Sequence, residues 1–166
     1  YSSGVLNPRR QLRLTHLMTQ VDMDKGKVIQ EGMQGKDMSA LLRESADGLA
    51  AFAQSASDPL QAASAYLQHA KALRAEIHLR LSPVGREAMA AQIEQAQASY
   101  SLALEKGKNE PLINSAARYG LGLCAEELGD FAEAKKIYSD MVADASLAGT
   151  PSQVAAKNRL KVIDDY

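Results

Sequence analysis

The sequence has few of the side chains on which sheets, disulfides and membrane-spanning helices depend. Among its 166 residues there is no Trp, and there are only two Phe and six Tyr. Aliphatic side chains and Ala must fill the core, which argues against β-sandwiches and barrels. The single cysteine, Cys124, excludes an internal disulfide and a metal cluster held only by cysteines of one chain. The apolar runs are far shorter than the about 20 residues that a membrane-spanning helix requires. The predicted fold class is all-α.

The charges are balanced overall but divided unevenly along the chain. Lys and Arg number 19 and Asp and Glu number 20, so no general attraction to nucleic acid is expected. Residues 1–36 hold six basic and three acidic groups, a net charge of +3, whereas residues 37–166 hold 13 and 17, a net charge of −4. Every Ala lies between Ala40 and Ala156. We therefore expect an N-terminal arm over 1–36 and a helical domain over 37–166.

The arm carries two competing patterns. An apolar spacing of i, i+3, i+4 and i+7 after Asn7-Pro8 predicts a short amphipathic helix. The alternative is a strand that begins near Leu12, with Asp24-Lys25-Gly26-Lys27 as the turn into Val28-Ile29. We favour the helix. The residues with helical spacing are Leu14, Leu17, Met18 and Val21.

Two short segments of the arm invite more specific interpretations. The opening Tyr1-Ser2-Ser3-Gly4, without Met, is typical of a piece cut from a longer protein or of the remnant of a tag. Asp22-Met23-Asp24-Lys25-Gly26 has the first two carboxylates of a calcium loop but lacks the third carboxylate and the bidentate Glu. We interpret this second segment as a turn.

Capping residues and prolines divide the rest of the chain into consecutive helices. Asp37 or Ser39 caps the first, and Asp-Pro, Ser-Pro and Glu-Pro pairs mark later starts. Short turns between helices favour antiparallel neighbours. We expect five helices, over about 37–56, 59–81, 83–106, 111–128 and 130–145, and a capping helix over about 151–163.

The fourth and fifth helices carry a string that resembles a tetratricopeptide repeat. Its residues are Arg118-x₂-Leu121-Gly122-x₂-Ala125, Gly129-Asp130-Phe131 and Ala134-x₃-Tyr138. The small residues let the two helices cross closely, while Phe131 and Tyr138 fill the space beyond. Ala96-x₃-Tyr100 repeats the second half 38 positions earlier. Arg118 and Ala125 depart from the family's Trp and Tyr. The resemblance implies a tetratricopeptide-like right-handed array of antiparallel helix pairs.

A longer run within residues 92–163 resembles a narrower family, the tetratricopeptide proteins of the YfgM type, ancillary subunits of the bacterial SecYEG translocon. This resemblance implies a chaperone-like scaffold on the periplasmic side of the inner membrane, tethered by a segment absent from this sequence. Without a tether, a cytoplasmic location is expected. The matching residues are Ala96-x₃-Tyr100, Pro111-Leu112, Ala117-x-Tyr119-Gly120-Leu121-Gly122, Glu127-x-Gly129-Asp130, Ala134-x₃-Tyr138 and Ala155-Ala156-x-x-Arg159-Leu160.

The residues that could carry chemistry form no recognisable arrangement. His16, His69 and His78 do not make the i, i+4 pair that ligates zinc on a helix. Cys124 lies in an apolar helix without a basic neighbour, which favours core packing over a nucleophile. Gly120-Leu121-Gly122 is mid-helix and indicates helix packing. We expect no catalysis, cofactor or metal; a hydrolytic or metal enzyme, using His69 or Cys124, is the competing class.

A binding role fits the pattern better. Stacked helix pairs curve into a groove that accepts peptides. The acids Glu126-Glu127 and Asp130 form either a solvated helix end or a contact for a basic partner, so we expect hydrophobic or basic segments as ligands. The alternatives are a homodimer through the Met-rich segment 12–38 and a groove filled by the chain's own terminus. The predicted protein-binding residues are Ala116, Tyr119, Leu123 and Glu126.

Overall fold

A computed structural model describes residues 7–164 of the chain. The described residues contain α-helices, one short 3₁₀ helix and no strand, so the all-α prediction is confirmed. The interpretation of Tyr1-Ser2-Ser3-Gly4 lies outside the described residues. The helices are α1 Pro8–Met33, α2 Ala40–Ser55, α3 Pro59–Leu79, α4 Arg86–Gly107, α5 Pro111–Glu127, α6 Phe131–Ala143, the 3₁₀ helix Ala145–Leu147 and α7 Pro151–Ile163.

Helix α1 is much longer than the short helix that the sequence predicted. It spans 26 residues, and the strand alternative and the turn over residues 22–27 are wrong. One buried stripe of Leu14, Leu17, Val21 and Val28 continues through that segment, and burying it requires the helical period to persist. Although α1 is long, no helix over residues 7–164 combines the length and apolar character needed to cross a membrane.

Most helix starts follow the capping signals of the sequence, but the predicted start at Ser82-Pro83 is wrong, because α4 begins at Arg86 after Gly85. Ser39 precedes α2 as predicted, although its side chain makes no capping hydrogen bond. The side chain of Asp58 accepts a hydrogen bond from the backbone N–H of Gln61 at 2.8 Å, and Asp130 and Thr150 cap α6 and α7 in the same way. Helix α6 ends at Ala143, two residues before the predicted end, because Asp144 caps the following 3₁₀ helix. Local polar contacts therefore set these boundaries.

The helices pack in a regular order. Each helix contacts the next one along the chain, and α1, α3, α5 and α7 also contact one another in succession. The odd-numbered helices therefore form a row, with each even-numbered helix packed between two of them. Helix α1 is part of this arrangement. Its buried residues Leu14, Leu17 and Val21 share one core with α2 to α5, and the Arg10 guanidinium lies 4.1 Å from the centre of the Phe52 ring. The predicted boundary at residue 36 falls in the turn between α1 and α2.

Two glycines of α5 receive tyrosine rings from opposite neighbours. A Cβ atom at Gly120 would lie 2.3 Å from the ring of Tyr100 on α4, and one at Gly122 would lie 2.2 Å from the ring of Tyr138 on α6. The predicted helix-packing role of both glycines is confirmed. The sequence predicted that Tyr138 and Phe131 both fill the space beyond the crossing of α5 and α6. Tyr138 is fully buried, whereas Phe131, the first residue of α6, is 43% exposed and is not part of the buried core.

Candidate functional site

A cavity of about 540 Å³ lies on the row of odd-numbered helices, and we refer to it as the central cavity. All four helices of the row contribute side chains to it. The lining includes Lys25 of α1, Lys71 of α3, Tyr119 of α5 and Pro151 of α7. The site thus joins segments that are far apart in the sequence.

Three of the four predicted protein-binding residues line this cavity. Ala116, Tyr119 and Leu123 recur at spacings of three and four on α5, which places them on one helix face. Glu126 continues the same face by one further step but does not line the cavity. The structure therefore brings the first three together around one space. Their contact with a protein partner stays a prediction.

The carboxylate of Glu126 is already occupied within the chain. It accepts a hydrogen bond from the Tyr138 hydroxyl at 2.6 Å and another from Nε of Arg159 at 2.8 Å, and Arg159 Nη2 contacts its second oxygen. Burial by itself would raise the pKa of Glu126, but these donors outweigh burial and lower it. Glu126 thus ties α5 to α6 and α7 and is not a solvated helix end.

Glu127 makes a corresponding connection to α3. Arg74 donates through Nε to Oε1 at 2.6 Å, and the imidazole Nε2 of His78 contacts Oε2. Burial opposes ionisation here too, yet the hydrogen bonds from His78 and Arg74 lower the pKa of Glu127. Sequence reasoning missed both pairs, because the partners lie on helices distant in the chain and no local spacing connects them.

Among residues 7–164, the Lys, Arg, His, Asp and Glu side chains that line the central cavity are all of the basic types, whereas the sequence led us to expect an acidic face. They are Lys25, Lys71, Arg74 and His78. Surrounding protein and the nearby charges of Lys25 and Arg74 lower the pKa of Lys71, although its side chain reaches solvent. The lining differs from the expected acidic face for two reasons. Helices α1 and α3 contribute basic side chains, and the carboxylates of Glu126 and Glu127 bind Arg159 and Arg74 instead of lining the cavity.

The candidate reactive side chains Cys124 and His69 are buried or partly buried, and burial shifts the pKa of each toward its uncharged form. Cys124 is fully buried, and this burial raises the pKa of its thiol to about 12, so it is protonated near neutral pH. Nδ1 of His69 lies 3.1 Å from Oγ of Ser99, and burial lowers the pKa of the ring. No group of three or more potential metal ligands occurs within residues 7–164.

No family model matches the sequence, and no curated protein or solved structure matches it significantly. The resemblances to tetratricopeptide proteins and to the YfgM type are carried by the residues quoted above and stay predictions. The same holds for the envelope location and the chaperone-like role. Function has to follow from the geometry of the described residues.

The lowered pKa values of Glu126 and Glu127 make the free energy of unfolding depend on pH. A carboxyl group with a lowered pKa in the folded chain stabilises it above the unfolded pKa, and this contribution is lost as pH falls through the folded value. We expect the urea midpoint of unfolding to fall modestly below about pH 6.5, where the lowered pKa of His69 opposes folding, and to decline further below about pH 4.5 as the two glutamates become protonated. A Glu126→Gln/Glu127→Gln variant should unfold at lower urea at pH 7 and show a shallower decline. Parallel pH profiles for the two proteins would contradict this assignment.

Proposed function

We propose that the protein is a non-catalytic scaffold for protein interactions, with a tetratricopeptide-like array of antiparallel helix pairs that takes up a peptide segment of a partner. The observation that carries the proposal is the central cavity. It extends over all four odd-numbered helices and combines apolar, aromatic and basic side chains. Ligand sites in proteins commonly combine an apolar lining with a few placed polar groups.

The packing order supports the array. In a stack of helix pairs, the first helices of successive pairs contact one another and form one continuous surface. The succession of contacts from α1 through α3 and α5 to α7 has this form. The tyrosine–glycine contacts at α5 keep the helices close, which brings Ala116, Tyr119 and Leu123 to the same surface as Lys71.

The state of the reactive groups supports binding over catalysis. The Cys124 thiol is held protonated by burial. The carboxylates of Glu126 and Glu127 are engaged by Arg159 and Arg74, so neither lies free beside the cavity as a general base. A hydrolase would need an activated nucleophile or base in contact with its substrate.

Selection of a random peptide library on the folded chain tests the proposal. We expect recovered peptides to lose affinity by at least about tenfold for Ala116→Trp, because the indole fills space that the ligand needs. Leu112→Trp is the matched control, since Leu112 lies on the same helix, is 61% exposed and does not line the cavity. Recovery of no binder above background, or equal binding to both variants, would refute the proposal. Circular dichroism verifies that the variants are folded.

A second candidate function is homodimerisation through α1. Leu12, Met23 and Met33 are 71%, 64% and 85% exposed, on the helix face opposite the buried stripe. Light scattering across a concentration series should show a dimer for the unaltered chain and a monomer for Met23→Glu. This point variant is preferable to removal of residues 1–36, which would also take Leu14 and Val21 out of the core. A monomer at every concentration excludes this candidate.

A further inference from the structure

The charge and the apolar surface of the central cavity lie on different helices. Its lysines and its arginine come from α1 and α3, whereas α5 and α7 supply an aromatic and apolar wall that includes Tyr119, Leu123 and Ala155. Among residues 7–164, no Asp or Glu lines the cavity. A ligand that contacts both halves must therefore carry two kinds of group along its length.

The part of the cavity lined by α1 and α3 carries positive charge that no carboxylate of the described residues pairs with. Among residues 7–164, neither Lys25 nor Lys71 forms an ion pair, and Arg74 shares Glu127 with His78. Asp22 is the carboxylate that attracts Lys71, but the opposing influence of burial and of neighbouring cations prevails, and the pKa of Lys71 is lowered. A bound carboxylate would supply the missing negative charge at this position.

We propose that the central cavity selects partner segments in which an internal Asp or Glu side chain is followed by apolar side chains. The carboxylate faces Lys25 and Lys71, and the apolar side chains pack against Leu123 and Ala155. This specificity rests on the proposed binding function. An internal segment fits better than a chain end, because the lining continues beyond the lysines across α5 to α7.

Charge complementarity decides between this ligand and the basic segment expected from the sequence. A Lys or Arg side chain placed beside Lys25 and Lys71 would meet two like charges in surroundings that already disfavour positive charge. Complementary charge mainly sets which partner is accepted. Acidic segments should therefore be chosen over basic or neutral ones of equal apolar content.

The test compares library selections on three forms of the chain. These are the unaltered chain, Lys25→Ala/Lys71→Ala, and the matched control Lys27→Ala/Lys157→Ala, which removes the same charge at exposed positions outside the cavity. We expect peptides recovered on the unaltered chain and on the control to be enriched in Asp and Glu. This enrichment should disappear for the cavity variant.

Synthetic peptides then separate the possible results. Replacement of the selected Glu by Gln should weaken binding about tenfold, and added salt should reduce the difference. Amidation of the peptide's C-terminus should leave its affinity unchanged. The charge exchange of Lys71→Glu with a Glu→Lys peptide should restore binding.

Three results would overturn the inference. Binders without acidic enrichment, or a Gln peptide that binds equally well, refute the acidic specificity while the proposed scaffold function stands. Loss of binding on amidation shows recognition of a chain end instead of an internal segment. Recovery of no peptide above background removes the proposed function together with this inference.

Discussion

Replacing Arg80 with Met is expected to lower the free energy of unfolding by about 3 kcal/mol, because it leaves a buried carboxylate without its main cation. Glu76 is 4% exposed. Arg80 Nη2 donates to both of its oxygens, at 2.6 and 2.7 Å, and Gln92 Nε2 donates to it at 3.0 Å. Met retains the apolar stem of the side chain, so the loss reports mainly on the charge. Urea unfolding measures it.

Two further variants identify the origin of this loss. Arg43→Met should cost less than Arg80→Met, because the Arg43 side chain is 56% exposed and lies 3.6 Å from Glu76, so that its loss removes mainly the 2.7 Å hydrogen bond to Gln92 Oε1. Adding Glu76→Gln to Arg80→Met should recover much of the stability, since the unpaired buried charge is then removed. Glu76→Gln alone is the reference for this cycle. If the double variant loses the sum of what Arg80→Met and Glu76→Gln lose singly, the unpaired carboxylate is not the cause of the Arg80→Met loss.

Replacing Gly122 with Ala is expected to cost about 1–3 kcal/mol, although Ala is the better helix former. The new Cβ would lie 2.2 Å from the ring of Tyr138, so the ring or one of the two helices would have to shift. Tyr138 is fully buried, and its hydroxyl is fixed on Glu126 at 2.6 Å. Gly120→Ala should behave similarly against Tyr100.

Gly26→Ala provides the control for helix propensity alone. Gly26 lies within α1, is exposed and has nothing within 4 Å of a Cβ, so this variant should gain about 0.5–1 kcal/mol. Combining Gly122→Ala with Tyr138→Leu should cost less than the sum of the single losses, because the shorter side chain relieves the overlap. A thermal midpoint for Gly122→Ala equal to that of the unaltered chain would show that α5 and α6 move apart at little cost.

The repeat-like string of small and large residues in the sequence predicted the packing of α5 against α6. Gly122 and the Ala–Tyr spacing on α6 indicated a close helix crossing, and the structure places the Tyr138 ring over Gly122. Phe131 has an equally suitable residue type but lies at the helix end, where size does not determine burial. The length of α1 was underestimated, because Gly26 and its charged neighbours resemble a turn until the burial of Val28 is known.

The candidate site was predicted only on the α5 side. Ala116, Tyr119 and Leu123 share a helix face that periodicity identifies, and all three line the central cavity. The contribution of α1 to the cavity could not be predicted, because Lys25 lies in residues 1–36, which the sequence composition assigned to a separate arm. Glu126 also has the right periodicity, but a distant arginine withdraws its carboxylate from the cavity.

By itself, the sequence determined that the described chain is all-α and where most of its helices start, because caps, prolines and apolar spacing act within a few residues of one another. Only the tertiary structure decided the sign of the charge in the central cavity. The sign depends on which basic side chains are neutralised by a carboxylate of the same chain. Lys71 lies near Lys25 and Asp22 of α1, and Glu127 pairs with Arg74 of α3, so these contacts form only when the helices pack together. Electrostatic energy follows distance in space, which local sequence patterns do not encode.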